Sequence, residues 1–582
     1  NKTGLGTTTL SGANSYTGAT TISAGQLTVS GSLADTSTVV VSGGIYDLNG
    51  GADTVGGVQI TSGTIQNGTL TSTTAYDVQA GTISAALAGG VALNKTTVGV
   101  ATLSGTGANT YSGLTTVSAG TLNLNKTAVD AIAGNLTVSG GSAVLQAANQ
   151  LNNASNVVVS GGTLDIATFS DTVNGVQLTA GNINGTTGTL TSTTAFDLQA
   201  GAASAILGGT AGANKTGLGT TTLSGANSYT GTTSITAGIL QANNGAALGS
   251  TAGNTTISNG AELAINGVNL IAEPISSVMG TGVSGNAISW TGPASLAGNI
   301  TLAGATSIGG TGTMTVSGTI NGGSALTVNA GGQTNFTGAM GGIGGQELAS
   351  ATFNGTGPVS VTNITTSGGN ITFNVPVTLN SIFTTNNGTF QVMGGNVTTL
   401  GDGTTSTVNV GTGTANFSGA VNTTPGGGTE SLIINGQTIT VTGPIGTVVN
   451  PLGSLTTTST AAGSTALGDT SVGTLSMTTN GGALTSNGVM TVTGTTTVNT
   501  GANTITMNNA GNDFGGAVTL TGSTTQITDG TGGLTLGTLN TGALTVNTTG
   551  GTLNIGQGAI NGIFTANSSN SAILGTRRPL AI

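Results

Sequence analysis

The carboxylates are the side chains of this sequence whose type and spacing could support chemistry. The chain contains no histidine and no cysteine, which excludes a serine–histidine–aspartate triad and a disulfide framework. Hydrolysis of a polysaccharide would need two carboxylates within roughly 5–10 Å of each other. The pairs that lie close in sequence are Asp47 with Asp53 and Asp165 with Asp171.

Both pairs stand at equivalent positions of a repeat, because each follows a copy of Val-Val-Val-Ser-Gly-Gly, at 39–44 and at 157–162. We therefore interpret them as architectural rather than as one active site. They could also hold a calcium ion, but neither lies in an Asp-rich loop. A lyase site would need a basic residue, and the two arginines are at the far end of the chain. We predict no enzymatic activity, no cofactor and no metal.

A repeat that occurs three times indicates the elements that would position these residues. Its copies begin at Asn1, Asn94 and Asn214. In each copy small or apolar residues alternate with Thr or Ser, and Gly interrupts them, which predicts short strands joined at corners. Three positions mark each copy: Asn14, Tyr16 and Gly18; Asn109, Tyr111 and Gly113; and Asn227, Tyr229 and Gly231.

We assign structural roles to these marker residues. Asparagine at a corner tolerates positive φ and can hydrogen-bond along a stack of coils. Tyrosine in a core of small residues is expected to pack, although an exposed ring could also contact a sugar. We predict that Gly18, Gly25 and their equivalents occupy corners with positive φ or with closely approaching backbone.

The spacing between the copies favours a solenoid. The first two copies begin 93 residues apart and the next two 120 residues apart. The extra residues fall mainly between the Tyr motif and the Val-Val-Val segment, at roughly 125–150. A parallel β-helix can gain a whole coil while its neighbours keep their stacking, whereas a propeller blade would lose a partner. We expect coils of about 20–30 residues.

The pattern Lys-x-Gly-x-Gly-Thr-x-Thr-Leu-Ser-Gly-x-Asn-x-Tyr-x-Gly-x-Thr-x-Ile-x-x-Gly-x-Leu resembles the passenger-associated repeat of bacterial autotransporters. The first and third copies match throughout, whereas the second has Thr97 at the first glycine and two added residues before Asn109. This resemblance implies an all-β, right-handed parallel β-helix exported to the cell surface. It implies no particular activity.

Composition limits the possible partners. Only 4% of residues are charged, against about 25% in ordinary globular proteins. The net charge of −10 has the wrong sign for nucleic acid. All four lysines stand in Asn-Lys-Thr triplets, so no basic patch is expected. No apolar run approaches the roughly 18 residues of a membrane helix, and we expect no membrane insertion of this segment.

The character of the chain changes near Glu273–Pro274. All eight prolines and the single tryptophan follow this point, and all five tyrosines precede it. We predict a repeat β-helix over 1–273 and a diverged continuation over 274–582, whose texture resembles filamentous-haemagglutinin-type passengers. Two stretches rich in Thr, Ser and Gly, 422–429 and 456–463, are predicted to leave the solenoid as loops.

These observations predict a secreted, surface-located structural protein that forms a fibre, filament or coat. The alternative is an adhesin that binds a host or matrix glycan or protein through a loop insertion. Open strand edges at both ends of a solenoid predict head-to-tail self-assembly. The expected joint is the C-terminal stretch 571–582, including Arg577, Arg578, Leu580 and Ile582.

Overall fold

The computed structural model describes residues 1–342, 344–426, 428–486, 488–570 and 572–574. These residues form parallel strands joined by turns and bends, and none of them forms a helix. The strands stack coil upon coil as a parallel β-solenoid. The predicted fold class is therefore confirmed.

The three repeat copies use the same strand order. Alternate residues point into the core, as in Thr115–Val117, where the middle residue faces outward between two buried neighbours. Residues paired between successive coils are from 17 residues (Thr69 and Ala86) to 26 residues (Thr407 and Ile433) apart. The strands of the copies are Thr7–Leu10, Thr20–Ile22 and Gln26–Val29; Val100–Gly105, Thr115–Val117 and Thr121–Lys126; and Thr220–Leu223, Thr233–Ile235 and Ile239–Ala242.

The additional residues of the second copy form one whole coil, as predicted. In the first copy, Thr20–Ile22 pairs directly with the long strand Thr38–Asp47. In the second copy, Thr115–Val117 pairs with Leu136–Val138, which in turn pairs with Asn156–Asp165. The inserted strand thus enters the ladder without breaking it, because each coil contacts only its neighbours.

The chain divides into two compact units. Unit 1 comprises Asn1–Ser277 and Thr281–Ser289. Unit 2 comprises Val278–Gly280 and the described residues from Trp290 onward. The domain boundary predicted at Glu273–Pro274 stays a prediction.

Unit 2 contains a continuous stack of phenylalanines in its core. The ring centroids of Phe353 and Phe373 are 4.7 Å apart with nearly parallel planes, and those of Phe373 and Phe390 are 5.8 Å apart. Phe336 and Phe417 extend the stack at its two ends. The strands that carry these rings are Thr334–Phe336, Ser350–Gly355, Ile371–Phe373, Phe390–Val392 and Thr414–Phe417.

The prediction of a loop at 456–463 is wrong. These residues lie within the strand Leu452–Leu467, which pairs with Ser431–Val441 and with Thr470–Thr479. The stretch lacks large apolar residues because Thr457 and Ser459 fill the inward positions and are buried. Serine and threonine can occupy both faces of a solenoid strand when the two neighbouring strands satisfy its backbone.

Candidate functional site

The marker asparagines connect three successive coils. Asn109 accepts a hydrogen bond from the backbone N–H of Leu87 at 2.9 Å and donates one to the carbonyl of Ala131 at 2.7 Å. Asn227 repeats this with Leu207 and Ala247 at 2.9 and 2.7 Å. Because both amides are buried, they satisfy backbone groups that water cannot reach.

In the first copy, the marker asparagine bonds within its own coil and to the following one. The Asn14 amide donates to the carbonyls of Gly12 and Ser32 at 2.8 and 2.9 Å. None of the three asparagines has a positive φ. The hydrogen bonds along the stack therefore set the position of these side chains.

Two of the three marker tyrosines are fully buried. Tyr111 shares a hydrogen bond with the Thr115 hydroxyl at 2.6 Å, and Tyr229 shares one with Thr233 at 2.7 Å. Burial raises the pKa of both phenols well above the ordinary value. Tyr16 keeps the equivalent bond to Thr20 but is 43% exposed. Tyr111 and Tyr229 pack against Tyr76 and Phe196 of preceding coils, whose equivalents for Tyr16 would fall before residue 1.

The repeat glycines separate into two kinds. Gly25, Gly120 and Gly238 have φ near 65°, and each lies against carbonyls of the preceding coil, as predicted. A Cβ added to Gly113 would lie 2.4 Å from the backbone carbonyl of Val91, so this glycine is required by close backbone approach. Gly231 is crowded in the same way by the backbone of Ala211 and Gly212. The equivalent residues for Gly18 would fall before residue 1, so its role stays a prediction.

Two of the three repeat lysines, Lys95 and Lys215, are buried at the corner, a placement that the sequence did not predict. The Lys95 ammonium donates to the carbonyl of Thr97 and, at 3.1 Å, to that of Ala119 in the next coil. Lys215 makes the equivalent bonds to Gly217 and, at 3.1 Å, to Ala237. A possible signal was the return of lysine at the same position in all three copies, directly before the turn.

At this corner a buried lysine ammonium lies next to a turn whose aliphatic side chain is exposed. Burial lowers the pKa of Lys215 to about 8 and also lowers that of Lys95. The turn that each lysine binds presents Leu5, Val98 or Leu218 to solvent, each about 90% exposed. The ammonium therefore serves the carbonyls of its own turn and those of the next coil, not an external anion.

Lys126 belongs to the inserted coil and makes different contacts. Its ammonium donates to the carbonyl of Ser104 at 2.8 Å and to that of Ala85 at 3.3 Å. Burial lowers its pKa to about 8. Its Asn-Lys-Thr triplet is thus not a copy of the corner, although the three letters are identical.

The two carboxylate pairs are held by separate hydrogen-bond sets. Asp53 accepts from the Leu33 N–H and from the Tyr46 hydroxyl at 3.1 and 2.8 Å. Its equivalent Asp171 accepts from the backbone N–H of Gln150 and Leu151 at 2.7 and 2.9 Å. Both are buried, and burial raises the pKa of Asp171 to about 6.

The other member of each pair has its own set of partners, and Asp47 is buried whereas Asp165 is half-buried. Asp47 accepts from the side-chain amides of Gln26 and Gln66 at 3.0 and 2.9 Å, bridging the coils on either side. Asp165 accepts from the Ala167 N–H at 2.8 Å. The pairs therefore support neighbouring backbone and amides rather than converge on a common point. In the described residues no group of three or more His, Cys, Asp or Glu could hold a metal ion.

The surface offers shallow grooves lined by small polar residues. One of them has a volume of about 620 Å³, and Asn49, Asn67, Ser84 and Thr106 lie along it. Among the large hydrophobic side chains exposed in the described part of the chain, Tyr16 is the only aromatic one. No helix in these ranges is long and apolar enough to cross a membrane. The joint residues Arg577, Arg578, Leu580 and Ile582 lie outside the described residues.

Comparison with known families identifies the repeat. The passenger-associated-transport-repeat matches residues 1–29, 93–124 and 214–242. A second family, described as repeats of unknown function, matches residues 453–521. Searches among curated proteins and solved structures gave no match.

These matches and the fold agree. Passenger-associated transport repeats on a parallel β-solenoid fit the β-helix of an autotransporter passenger. The resemblance of the second unit to filamentous-haemagglutinin-type passengers stays a prediction.

Proposed function

We propose that this passenger β-helix is exported to the cell surface, where it acts as a structural element of an extracellular fibre, filament or coat. One observation supports the proposal most directly: the polar side chains of the repeat form their hydrogen bonds within the stack of coils. The Asn109 amide and the Lys95 ammonium both bond to backbone of neighbouring coils. Functional groups that recur in every copy are therefore used to build the stack.

The surface chemistry supports the same proposal. Outward residues are mainly Thr, Ser, Asn and Gly, and charged residues are 4% of the chain. Such a surface has little electrostatic repulsion against a copy of itself. We propose self-association as the principal interaction, and the proposal includes no catalytic activity, cofactor, metal or nucleic acid.

Electron microscopy of the purified chain over a range of concentrations tests this proposal. We expect ordered filaments or sheets above a threshold concentration, and sedimentation should show that their formation is reversible on dilution. Isolated particles at every concentration, combined with saturable binding to a glycan or matrix protein, would favour the adhesin.

One feature favours the adhesin as the second candidate. The turn 447–450 is closed by hydrogen bonds from the Thr447 N–H to the Asn450 carbonyl and from the Asn450 N–H to the Thr447 hydroxyl. It presents Val448 and Val449 at 78% and 86% exposure. Loss of ligand binding in a Val448→Ser, Val449→Ser variant, with assembly unchanged, would assign adhesion to this turn.

A further inference from the structure

One face of unit 2 carries short uncharged side chains on six strands that follow one another in the ladder. We call it the hydroxyl face and define it by the outward residues of 405–409, 431–435, 454–458, 474–478, 496–499 and 518–521. Its central row runs from coil to coil as Thr407, Ile433, Thr456, Ser476, Thr497 and Thr519. The outward residues are Ser, Thr or Asn, with Ile433 as the exception.

The hydroxyl face is a regular lattice. The pairings between Thr405 and Thr521 continue across these segments without a register shift. Neighbouring strands are therefore about 4.8 Å apart, and successive outward residues of one strand are about 6.7 Å apart. In unit 1, by contrast, the pairing of Asn156–Asp165 with Gly175–Asn184 shifts twice, and its outward residues include Asp165.

The family match falls on this surface. The repeats of unknown function cover 453–521, which contain the last four of the six segments. Within this range the inward residues are mixed, with apolar side chains such as Leu455 and Leu475 and buried hydroxyls such as Thr457 and Thr496. The outward residues of these four segments are, by contrast, all Ser, Thr or Asn.

We propose that the hydroxyl face packs against the hydroxyl face of a second copy of this chain. Two identical lattices have the same strand spacing, so every row of one copy can lie between two rows of the other, as in dry interfaces between paired sheets. No charge needs to be desolvated. Threonine is β-branched and already restricted at χ1, so little side-chain entropy is lost on contact.

The lattice favours a second copy over a glycan. Sugar rings usually stack on aromatic side chains, and the hydroxyl face carries none. A two-fold axis through the face would make the contact isologous, so that residues near the centre, such as Thr456, meet their own equivalents.

The size of the face predicts a weak pair and a stable array. Six strands about 4.8 Å apart span about 24 Å, and five residues of strand span about 17 Å, or roughly 400 Å² per copy. A stable isolated dimer usually buries about 800 Å² per partner. The contact therefore holds copies together laterally where other contacts also join them. In this sense it rests on the proposed structural function.

Cysteine cross-linking can test the contact, because the natural chain contains no cysteine. The test variant is Thr456→Cys, and the matched control is Thr372→Cys, a half-buried outward residue of unit 2 whose strand pairs with Ser350–Gly355 and Phe390–Val392, outside the hydroxyl face. Under mild oxidation we expect disulfide-linked dimers of Thr456→Cys to form at least several-fold faster than those of the control, with a rate that rises with concentration. Equal rates would overturn the proposal.

A second substitution separates packing from chance collision. Adding Ser476→Lys to the Thr456→Cys variant places like charges opposite each other, and we expect the cross-linking rate to fall to that of the control. Unchanged fast cross-linking would overturn the face-to-face arrangement. Protection of the introduced thiol by an insoluble glycan, but not by increasing protein concentration, would also overturn it.

The test distinguishes this inference from the proposed function. If filaments form normally and the Thr456→Cys variant cross-links no faster than the control, the structural function stands and the hydroxyl face is not its lateral contact. If the thiols cross-link selectively but no ordered assembly appears at any concentration, the contact is real and the fibre or coat is wrong.

Discussion

Units 1 and 2 are built from the same kind of coil but stabilise their interiors differently. In unit 1 the buried polar groups have partners: Asn227 joins three coils, Lys215 binds carbonyls, and Thr233 bonds to both Tyr229 and the Leu248 carbonyl. In unit 2 the core contains the phenylalanine stack, and many inward threonine hydroxyls lack a hydrogen-bond partner.

The distribution of the unpartnered groups makes the difference clear. Among the described residues, two of the buried polar groups without a partner belong to unit 1, and the other eleven belong to unit 2. An unpaired buried hydroxyl lowers stability by about 1–3 kcal/mol. Unit 2 therefore depends on packing where unit 1 depends on directional bonds, which also specify the order in which coils stack.

The largest effect is expected from removing a ring of the phenylalanine stack. Phe373→Ala deletes a fully buried side chain that contacts Phe353 and Phe390, and should destabilise unit 2 by about 3–5 kcal/mol. Hydrogen exchange of unit 2 peptides, with Trp290 fluorescence during urea unfolding, measures the change. The outward substitution Thr372→Ala is the control. A loss of less than 1 kcal/mol would show that packing does not dominate unit 2.

Two glycines of unit 1 should differ in their tolerance of valine. Gly113→Val should cost about 1–3 kcal/mol because its Cβ would overlap the backbone of Val91. Gly90→Val is the control and should change stability little, because a Cβ at Gly90 would meet no atom within 4 Å. Thermal unfolding of both variants gives the comparison. Equal midpoints would mean that the second copy can relax around the added side chain.

A pair of threonine substitutions tests the contrast between the units directly. Thr233→Val leaves the Leu248 carbonyl without its side-chain donor and removes the partner of the Tyr229 hydroxyl, so it should cost about 1–2 kcal/mol. Thr457→Val removes a buried hydroxyl that has no partner, and should be neutral or stabilising. Urea midpoints of the two variants provide the measurement. The opposite ranking would contradict the proposed division between the units.

The smallest effect is a pH dependence of unit 1. Burial raises the pKa of Glu273 to about 7 and that of Asp171 to about 6, so their contribution is fully present near pH 4 and lost as pH rises through 6 to 7. Burial lowers the pKa of Lys126 and Lys215 to about 8, so stability should rise again between pH 8 and 10.

This pattern predicts a shallow stability minimum between about pH 7 and 8. Glu273 is a suitable probe, because one of its carboxylate oxygens accepts from Thr255 at 2.7 Å and the other has no partner. Glu273→Gln should reduce the loss of stability between pH 5 and 7.5, measured by hydrogen exchange of unit 1 peptides. An identical pH profile in this variant would rule out Glu273 as the source.

The sequence by itself determined where strands, corners and whole coils follow one another along the chain. Period-two alternation with glycine breaks specifies strands and corners, and a length difference confined to one place specifies a whole inserted coil, such as that of Leu136–Val138. These properties are local, because a solenoid coil makes the same contacts wherever the repeat returns. The prediction that Asp53 and Asp171 have architectural roles depended on the same regularity.

Only the tertiary structure decided what each outward or inward position faces. It brought Lys95 against carbonyls of two coils, and it made a strand of 456–463, where composition indicated a loop. It also crowded Gly113 against the backbone of Val91. The reason is physical: the environment of a residue in a stack depends on the coil above and below it, about 20 residues away in either direction. The local sequence pattern therefore does not specify which residues of the neighbouring coils a side chain contacts.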